Sequence, residues 1–323
     1  MGEPIQDLIS ERSIMITGAA GFVGSNLAEI LSRDSSNTVL AVDDLSAGTL
    51  SNLECRRDRD NLDFHRLDIR DSHSMEELAG DVDVVLHQAA MASVPASLQR
   101  PLESNSRNVG GTIACLEACR KTGIETMVYA SSCAVYGDDS EPPLREADPT
   151  KPISPYGASK LAAEQYCEAY HRIYGIRTVS LRYFNIYGPR QDPSSQYAAV
   201  IPKFIGLMLD GQRPTVFGDG EQVRDFTYID DIVRANCIAA EARVGGVYNV
   251  SGGQPVSINV LVEKLNHVIG TDLDPEFDRP RPGDIQRSWA DLTLIGSDLG
   301  FEPKYSIEAG LERTVSYYGS IMR

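Results

Sequence analysis

The chain has 323 residues, 42% of them hydrophobic and 24% charged, with a formal net charge of −16. This length accommodates a large core plus a smaller lobe, and the ordinary globular composition argues against extended disorder. The acidity disfavours a nucleic-acid partner, whose phosphates it repels, but it leaves room for a small anion gripped by a few arginines in a cleft.

In chain order, a polar start (MGEPIQDLISERS) lacks the apolar core of a signal peptide. No apolar run approaches membrane-spanning length, so a soluble, cytoplasmic protein without membrane contact is expected. Strands are predicted at Ile14–Thr17, Val39–Val42, Leu62–Leu67, Val82–Leu86, Met127–Ala130 and Thr178–Leu181. Helices are predicted between several of them, at Phe22–Ser32, Met75–Ala79, Gly110–Lys121 and Pro155–Ile173. This alternation predicts an α/β fold, a doubly wound parallel Rossmann sheet covered on both faces. Beyond about residue 183, Pro and Gly become frequent. A helix is expected at Ala198–Leu209, a strand at Phe226–Ile229, a helix at Ile232–Ala240 and a strand at Val247–Val250. Helices follow at Ile258–Ile269 and Ile307–Tyr318. Residues 1–185 plus 225–250 are therefore expected to form a Rossmann domain, and 186–224 plus 251–323 a smaller α+β lobe.

The first strand runs into Thr17-Gly18-Ala19-Ala20-Gly21-Phe22-Val23-Gly24, which opens the first helix. Gly18 permits the tight turn, Gly21 lets the backbone approach a pyrophosphate at the helix N-terminus, and Gly24 allows close helix–strand packing. Asp43 ends the second strand, where a carboxylate accepts both ribose hydroxyls of an adenosine and repels a 2′-phosphate; NAD is favoured over NADP, with Asp44 able to share the role. Asp68-Ile69 ends the third strand, placing a carboxylate near the adenine amine, and His87-Gln88-Ala89-Ala90 ends the fourth beside the pyrophosphate.

Tyr156 and Lys160 lie four apart on a predicted helix and share a face. A free phenol ionises near pH ~10, and an adjacent ammonium together with a cationic nicotinamide favours the phenolate, suiting Tyr156 to act as a base. Ser132, at the carboxyl end of the preceding strand, is placed to relay the proton. The six cysteines form no CxxC pair and the five histidines show no HxH or HExxH spacing, so free thiols and no metal site are expected.

TGAAGFVG, HQAA, SSCAVYG, YGASK, RYFNIYGPRQDP, VRDFTYIDD, YNVSGG and RPGD together resemble the extended short-chain dehydrogenase/reductase family over nearly the whole chain. The resemblance implies NAD as cofactor and Ser132, Tyr156 and Lys160 as the catalytic triad, with Lys160 also holding the nicotinamide ribose. It places Phe22, Val23, Gln88, Arg107, Asn108 and Phe184 at the cofactor, and often implies a homodimer paired through a four-helix bundle. Family dehydratases and decarboxylases carry an acid immediately after the Ser or Thr of the triad; here that residue is Cys133, followed by Ala134. The run from Arg182 to Pro193 looks like the UDP-sugar 4-epimerases of this family, in the branch acting on UDP-glucose and UDP-N-acetylglucosamine. That resemblance implies Asn185, Arg224 and Arg281 at the substrate diphosphate, with Arg190 adding charge. It also implies Ala199, Val200 and Phe217 around the uracil, and Ser93, Asp284 and Ser288 among the substrate contacts. Ser288 stands where enzymes confined to glucose and galactose carry a tyrosine, leaving room for a 2-acetamido group. UDP-glucuronate 4-epimerisation, another nucleotide-sugar oxidoreduction and a non-catalytic NAD-binding role remain as alternatives. The glucuronate reading calls for a cation near the sugar C6 that the sequence does not place.

Overall fold

A computed structural model describes residues 5–192, 199–280 and 285–321. Six strands, β1 (Ser13–Thr17), β2 (Thr38–Asp43), β3 (Leu62–Arg66), β4 (Val84–His87), β5 (Thr126–Ser132) and β6 (Arg177–Tyr183), lie close to the predicted runs. They are followed by β7 (Ile186–Tyr187), β8 (Thr215–Phe217), β9 (Val223–Asp225), β10 (Thr227–Tyr228) and β11 (Gly246–Val250). Among the described residues, seven strands pair in parallel in the order β11-β6-β5-β4-β1-β2-β3. This is a Rossmann sheet. The order reverses between β1 and β4, so the crevice where such sheets bind ligands opens at the carboxyl ends of these strands.

The strands are short apolar runs because both sheet faces are covered. Side chains alternate along β1: Ile14 and Ile16 enter one core with Leu27 and Ile232, while Met15 enters the other with Leu116 and Ala163. The first face carries α1 (Phe22–Leu31) and, later in the chain, the helix at Ile229–Glu241. The second carries α2 (Ser72–Leu78), α5 (Gly111–Thr122) and α6 (Pro155–Tyr174), with α3 (Val94–Gln99) and α4 (Pro101–Asn105) packed against α6. The buried His87 at the end of β4 ties that strand to β1 and to α5, hydrogen-bonding Thr17 Oγ1 at 2.7 Å and Thr112 Oγ1 at 3.0 Å.

Beyond β6 the chain adds α7 (Val200–Leu209), α8 (Ile229–Glu241), β12 (Pro255–Ser257), α9 (Ile258–Ile269), β13 (Glu276–Asp278), β14 (Arg287–Ser288), α10 (Thr293–Leu299) and α11 (Ile307–Ile321). Here the reading of the sequence needs correction. The strand expected at Phe226–Ile229 is only Thr227–Tyr228, because Ile229 opens α8 with Asp230 and Asp231 in its first turn, where carboxylates suit the helix dipole. Within 225–250, β11 is the strand that joins the central sheet, while Asp225 ends β9, which pairs with β12 and β14. No helix among the described residues is long and apolar enough to cross a membrane. The six cysteines are free, and no cluster among the described residues could hold a metal.

Candidate active site

The glycine turn joins β1 to α1 at the sheet crevice. Gly18 has φ +67°, and a Cβ there would lie 2.7 Å from the backbone of Ala89, so the turn and the end of β4 press together. At Gly24 a Cβ would lie 2.2 Å from the Gly18 carbonyl oxygen. At Gly21 the nearest such atom is 3.2 Å away, and no side chain caps the first N–H groups of α1. Asp43 is buried at the end of β2; Ala20 N–H and Leu45 N–H donate to its two oxygens at 3.0 and 2.7 Å. Burial raises its pKa against the pull of these bonds. An uncapped helix N-terminus beside a buried carboxylate fits a dinucleotide's pyrophosphate and ribose.

Arg107 closes the same edge, donating to Ser46 Oγ at 2.5 Å and approaching Asp44 at 3.7 Å. Arg70 grips Asp68 and holds its carboxyl below the usual range. Ile69 packs where a Cβ on Gly111 would fall. Three further residues expected at the cofactor have contacts within the chain. Asn108 receives the Met91 N–H on Oδ1 at 2.7 Å and donates from Nδ2 to Ser159 Oγ at 2.8 Å, fixing the chain after β4. Gln88 donates to Asn236 and accepts from Tyr183. Phe184 is fully buried among Val135, Tyr136 and Leu144.

Ser132 terminates β5, and α6 brings Tyr156 and Lys160 beside it. The helix starts where it does because Ser154 accepts the Gly157 N–H at 3.1 Å and Pro155 occupies the first turn; Gly175, at φ +76°, ends it. The Tyr156 phenol lies on the Ser132 side of α6. Burial pushes the phenol up to about 12, with the Ser132 side chain opposing. Lys160 is buried and its ammonium pushed down to about 8 by that burial. Its Nζ donates to Ala130 O at 2.7 Å and lies 6.0 Å from the Tyr156 ring centroid. Burial leaves the phenol protonated near neutral pH despite the pair, so its ionisation would need further positive charge, which the cationic nicotinamide of NAD would supply.

Around Cys133, next to Ser132, converge the Asn185 backbone N–H, the Ser132 side chain and the charge of Arg224; burial still raises the thiol pKa. Asn185 adopts φ +34°, an uncommon backbone that places its Nδ2 3.0 Å from the Asp225 carbonyl. In the sheet register, Ser288 on β14 sits beside Arg224 on β9, and Ser288 is buried. Phe217 lines a cavity of about 330 Å³ with Gln222, Pro280 and Gln286. Val200 begins α7 with Ala199 before it, and Ser93 caps α3 by accepting the Ala96 N–H. Arg281 and Asp284 lie outside the described residues. Arg190, expected to add charge at the diphosphate, instead pairs with Glu29 and donates to Asn26 Oδ1 at 2.6 Å, on the middle of α1.

Residues 14–251 match the NAD dependent epimerase/dehydratase family. The chain belongs to that family. The UDP-glucose 4-epimerase of Mycolicibacterium smegmatis is 36% identical over 94% of this chain and 97% of its own length. The UDP-N-acetylglucosamine 4-epimerase of Methanobrevibacter ruminantium, solved with UDP-N-acetylmuramic acid, superposes with a TM-score of 0.93 at 40% identity, covering 97% of this chain and all of that one. The UDP-glucuronic acid 4-epimerase of Bacillus cereus, solved with UDP-glucuronic acid and NAD, gives 0.88 at 33% identity over 96% and 99%. As a member of the epimerase/dehydratase family this chain is an NAD-dependent enzyme.

Several residues that build this family site carry no motif. Ser97 Oγ, on α3, accepts the Tyr156 N–H at 3.1 Å. Glu164, one turn beyond Lys160, accepts the Ser131 hydroxyl and a bidentate pair from Arg182 Nε and Nη2 at 3.0 and 2.8 Å. The helical spacing of Tyr156, Lys160 and Glu164 was the available signal for Glu164; nothing in the sequence distinguishes Ser97 from other serines.

Proposed function

We propose that the protein is a UDP-hexose 4-epimerase that interconverts UDP-glucose with UDP-galactose and UDP-GlcNAc with UDP-GalNAc through a transient 4-keto sugar. The observation that carries this reading is the placement of Ser132 beside the Tyr156 phenol with Cys133, not an acid, as the next residue. A partly buried thiol whose pKa is raised is a poor proton donor or acceptor for eliminating water or losing carbon dioxide. One proton-transfer unit therefore serves a reaction that ends where it began in redox state.

NAD, when bound, supplies the hydride chemistry at the sugar C4. Gly18, Gly21, Gly24 and Asp43 would hold it, with Phe22 and Val23 on the opening turn of α1. Tyr156 takes the proton of the 4-hydroxyl by way of Ser132 and later returns it. Lys160 orients the nicotinamide ribose and adds positive charge near the phenol. Asn185 and Arg224 hold the diphosphate, a guanidinium suiting phosphate oxygens; Arg281 would join them. Phe217, Ala199 and Val200 face the uracil. Ser93, Asp284 and Ser288 complete the sugar side, and the small, buried Ser288 beside Arg224 leaves room for an acetamido group.

A homodimer belongs to the same reading. Leu102 on α4 and Ile173 and Tyr174 on α6 are exposed apolar side chains that a second copy would cover.

The deciding measurement is NMR of product formation across a panel of UDP-sugars with wild type and Ser288→Tyr. Both hexose pairs should turn over, and the variant should lose at least tenfold more activity on the acetylated pair. Equal losses on both pairs remove Ser288 as the selector. Turnover of UDP-glucuronate alone, or net consumption of external NADH with a UDP-sugar, overturns the assignment.

A further inference from the structure

A second cavity, of about 960 Å³, lies against the middle of α1; Arg190 lines it, whereas Ser132, Tyr156, Lys160 and Arg224 do not. Arg33, Arg190, Arg234, Lys304 and Arg313 line it, brought from five separate stretches of chain. The carboxylates among its lining residues are Glu29 and Asp230. Glu29 is shared by two of the cations, Arg33 and Arg190, and Asp230 receives Arg313 at 3.3 Å. Outside the wall, Lys304 reaches Glu302 at 3.1 Å, and the buried Asp231 is occupied by the backbone N–H groups of Lys304 and Tyr305. The wall itself carries five positive charges against two negative ones.

In a protein of net charge −16, gathering like charges on one concave wall costs free energy unless something compensates them. Two further features point the same way. The Nε atoms of Arg190 and Arg234 are shielded from solvent and have no hydrogen-bond partner among the described residues, so both guanidiniums keep donor capacity that the described residues do not use. Arg190 also adopts φ +71°, an unfavourable backbone for a residue with a side chain, and its guanidinium is held by Glu29 and Asn26 at the cavity wall.

We propose that this cavity is a second binding site, for a small polyphosphate anion. Guanidiniums presented from several directions suit the distributed charge and multiple acceptors of a diphosphate group better than a single carboxylate. The wall has one shared connection to the cofactor turn: Asn26 donates both to Phe22 O, in the first turn of α1, and to Pro189 O next to Arg190. The proposal concerns binding at this cavity and does not depend on which UDP-sugar the enzyme turns over.

The test is calorimetric titration of the NAD-loaded enzyme with inorganic pyrophosphate and, separately, with ADP, each with UDP at saturation. Pyrophosphate should bind one per chain, more weakly as salt rises. Affinity should fall at least tenfold in Arg234→Ala/Arg313→Ala, and in Lys304→Glu, an exposed position chosen so that folding is not at stake. Arg224→Ala should leave this binding in place while weakening UDP, which separates the second site from the substrate site. Tighter binding of ADP than of pyrophosphate identifies a nucleotide as the source of the diphosphate, and equal binding identifies the free anion. Absence of binding with UDP present, or unchanged affinity in both cavity variants, overturns the proposal.

Discussion

Ser97, buried on the short helix α3, accepts the backbone N–H of Tyr156 at 3.1 Å. The N–H groups at the start of a helix have no partner within it, and here one is used to dock the catalytic helix against its neighbour. Tyr156 is thereby fixed from its backbone as well as from the phenol, which meets Ser132. Ser97→Ala should lower kcat about three- to tenfold, the equivalent of one lost neutral hydrogen bond of ~1 kcal/mol, with KM little changed. Steady-state kinetics decide it; an equal rise in KM with kcat intact would place the serine on the binding side.

Tyr156→Phe removes the only hydroxyl on that ring and leaves the burial of α6 intact. Proton transfer by a positioned group is worth about 10²–10⁴ in rate, and kcat should fall by that much. UDP affinity should be unchanged, because Arg224 and Asn185 lie on other elements. Retention of more than a tenth of wild-type kcat would remove Tyr156 as the proton carrier.

The buried ammonium of Lys160 yields a pH-dependent stability prediction. Its folded pKa, about 8, lies below its ordinary value of 10.5 because burial disfavours the charged form. Between these values the unfolded chain binds more protons than the folded one, so this group makes stability rise with pH across that window. Its cost is fully present below about 8 and relieved above 10.5. Lys160→Met should therefore gain most relative to wild type near neutral pH, offset by the lost bond to Ala130 O, and the gain should shrink as pH rises from 8 toward 10.5. Urea denaturation of both proteins at several pH values checks the sign; a difference that grows with pH contradicts it.

Much of the fold and part of the site are legible in the residues. Strand runs such as Ile14–Thr17 declare themselves because strands buried on both faces are uninterrupted apolar stretches, and Ser154-Pro155 with Gly175 mark both ends of α6. The two-residue strands β7, β10 and β14 could not be read this way, since such pairs have no periodicity and exist only through partners distant in sequence. Motif residues also do not disclose their contacts within the chain. Arg190 stands within a substrate-like motif but turns to Glu29, and Phe184 follows β6 at the crevice yet packs inward on Tyr136. A motif fixes the backbone path, whereas the direction of a long or aromatic side chain depends on neighbours contributed by the rest of the chain.

The pair Glu164–Arg182 illustrates the energetics of such neighbours. Its side chains are only 1% and 5% exposed, the contact is bidentate, and Arg182 also donates to Tyr136 Oη at 2.9 Å. A buried pair of this kind is weak evidence for net stabilisation, but removing one partner strands the other charge and costs about 3–5 kcal/mol. Arg182→Leu should therefore lower stability by about that much in urea unfolding. Glu164→Gln keeps the shape and an acceptor but leaves Arg182 uncompensated, so it should also destabilise. The double variant Glu164→Gln/Arg182→Leu should cost less than the sum of the single changes, because no unpaired charge remains in the core. Glu164 additionally receives the Ser131 hydroxyl next to Ser132, so Glu164→Gln should reduce kcat through misplacement of Ser132 even where the protein remains folded. Additive losses in the double-mutant cycle would show that the two side chains act independently and that the pair is not the unit holding β5 to α6 and β6.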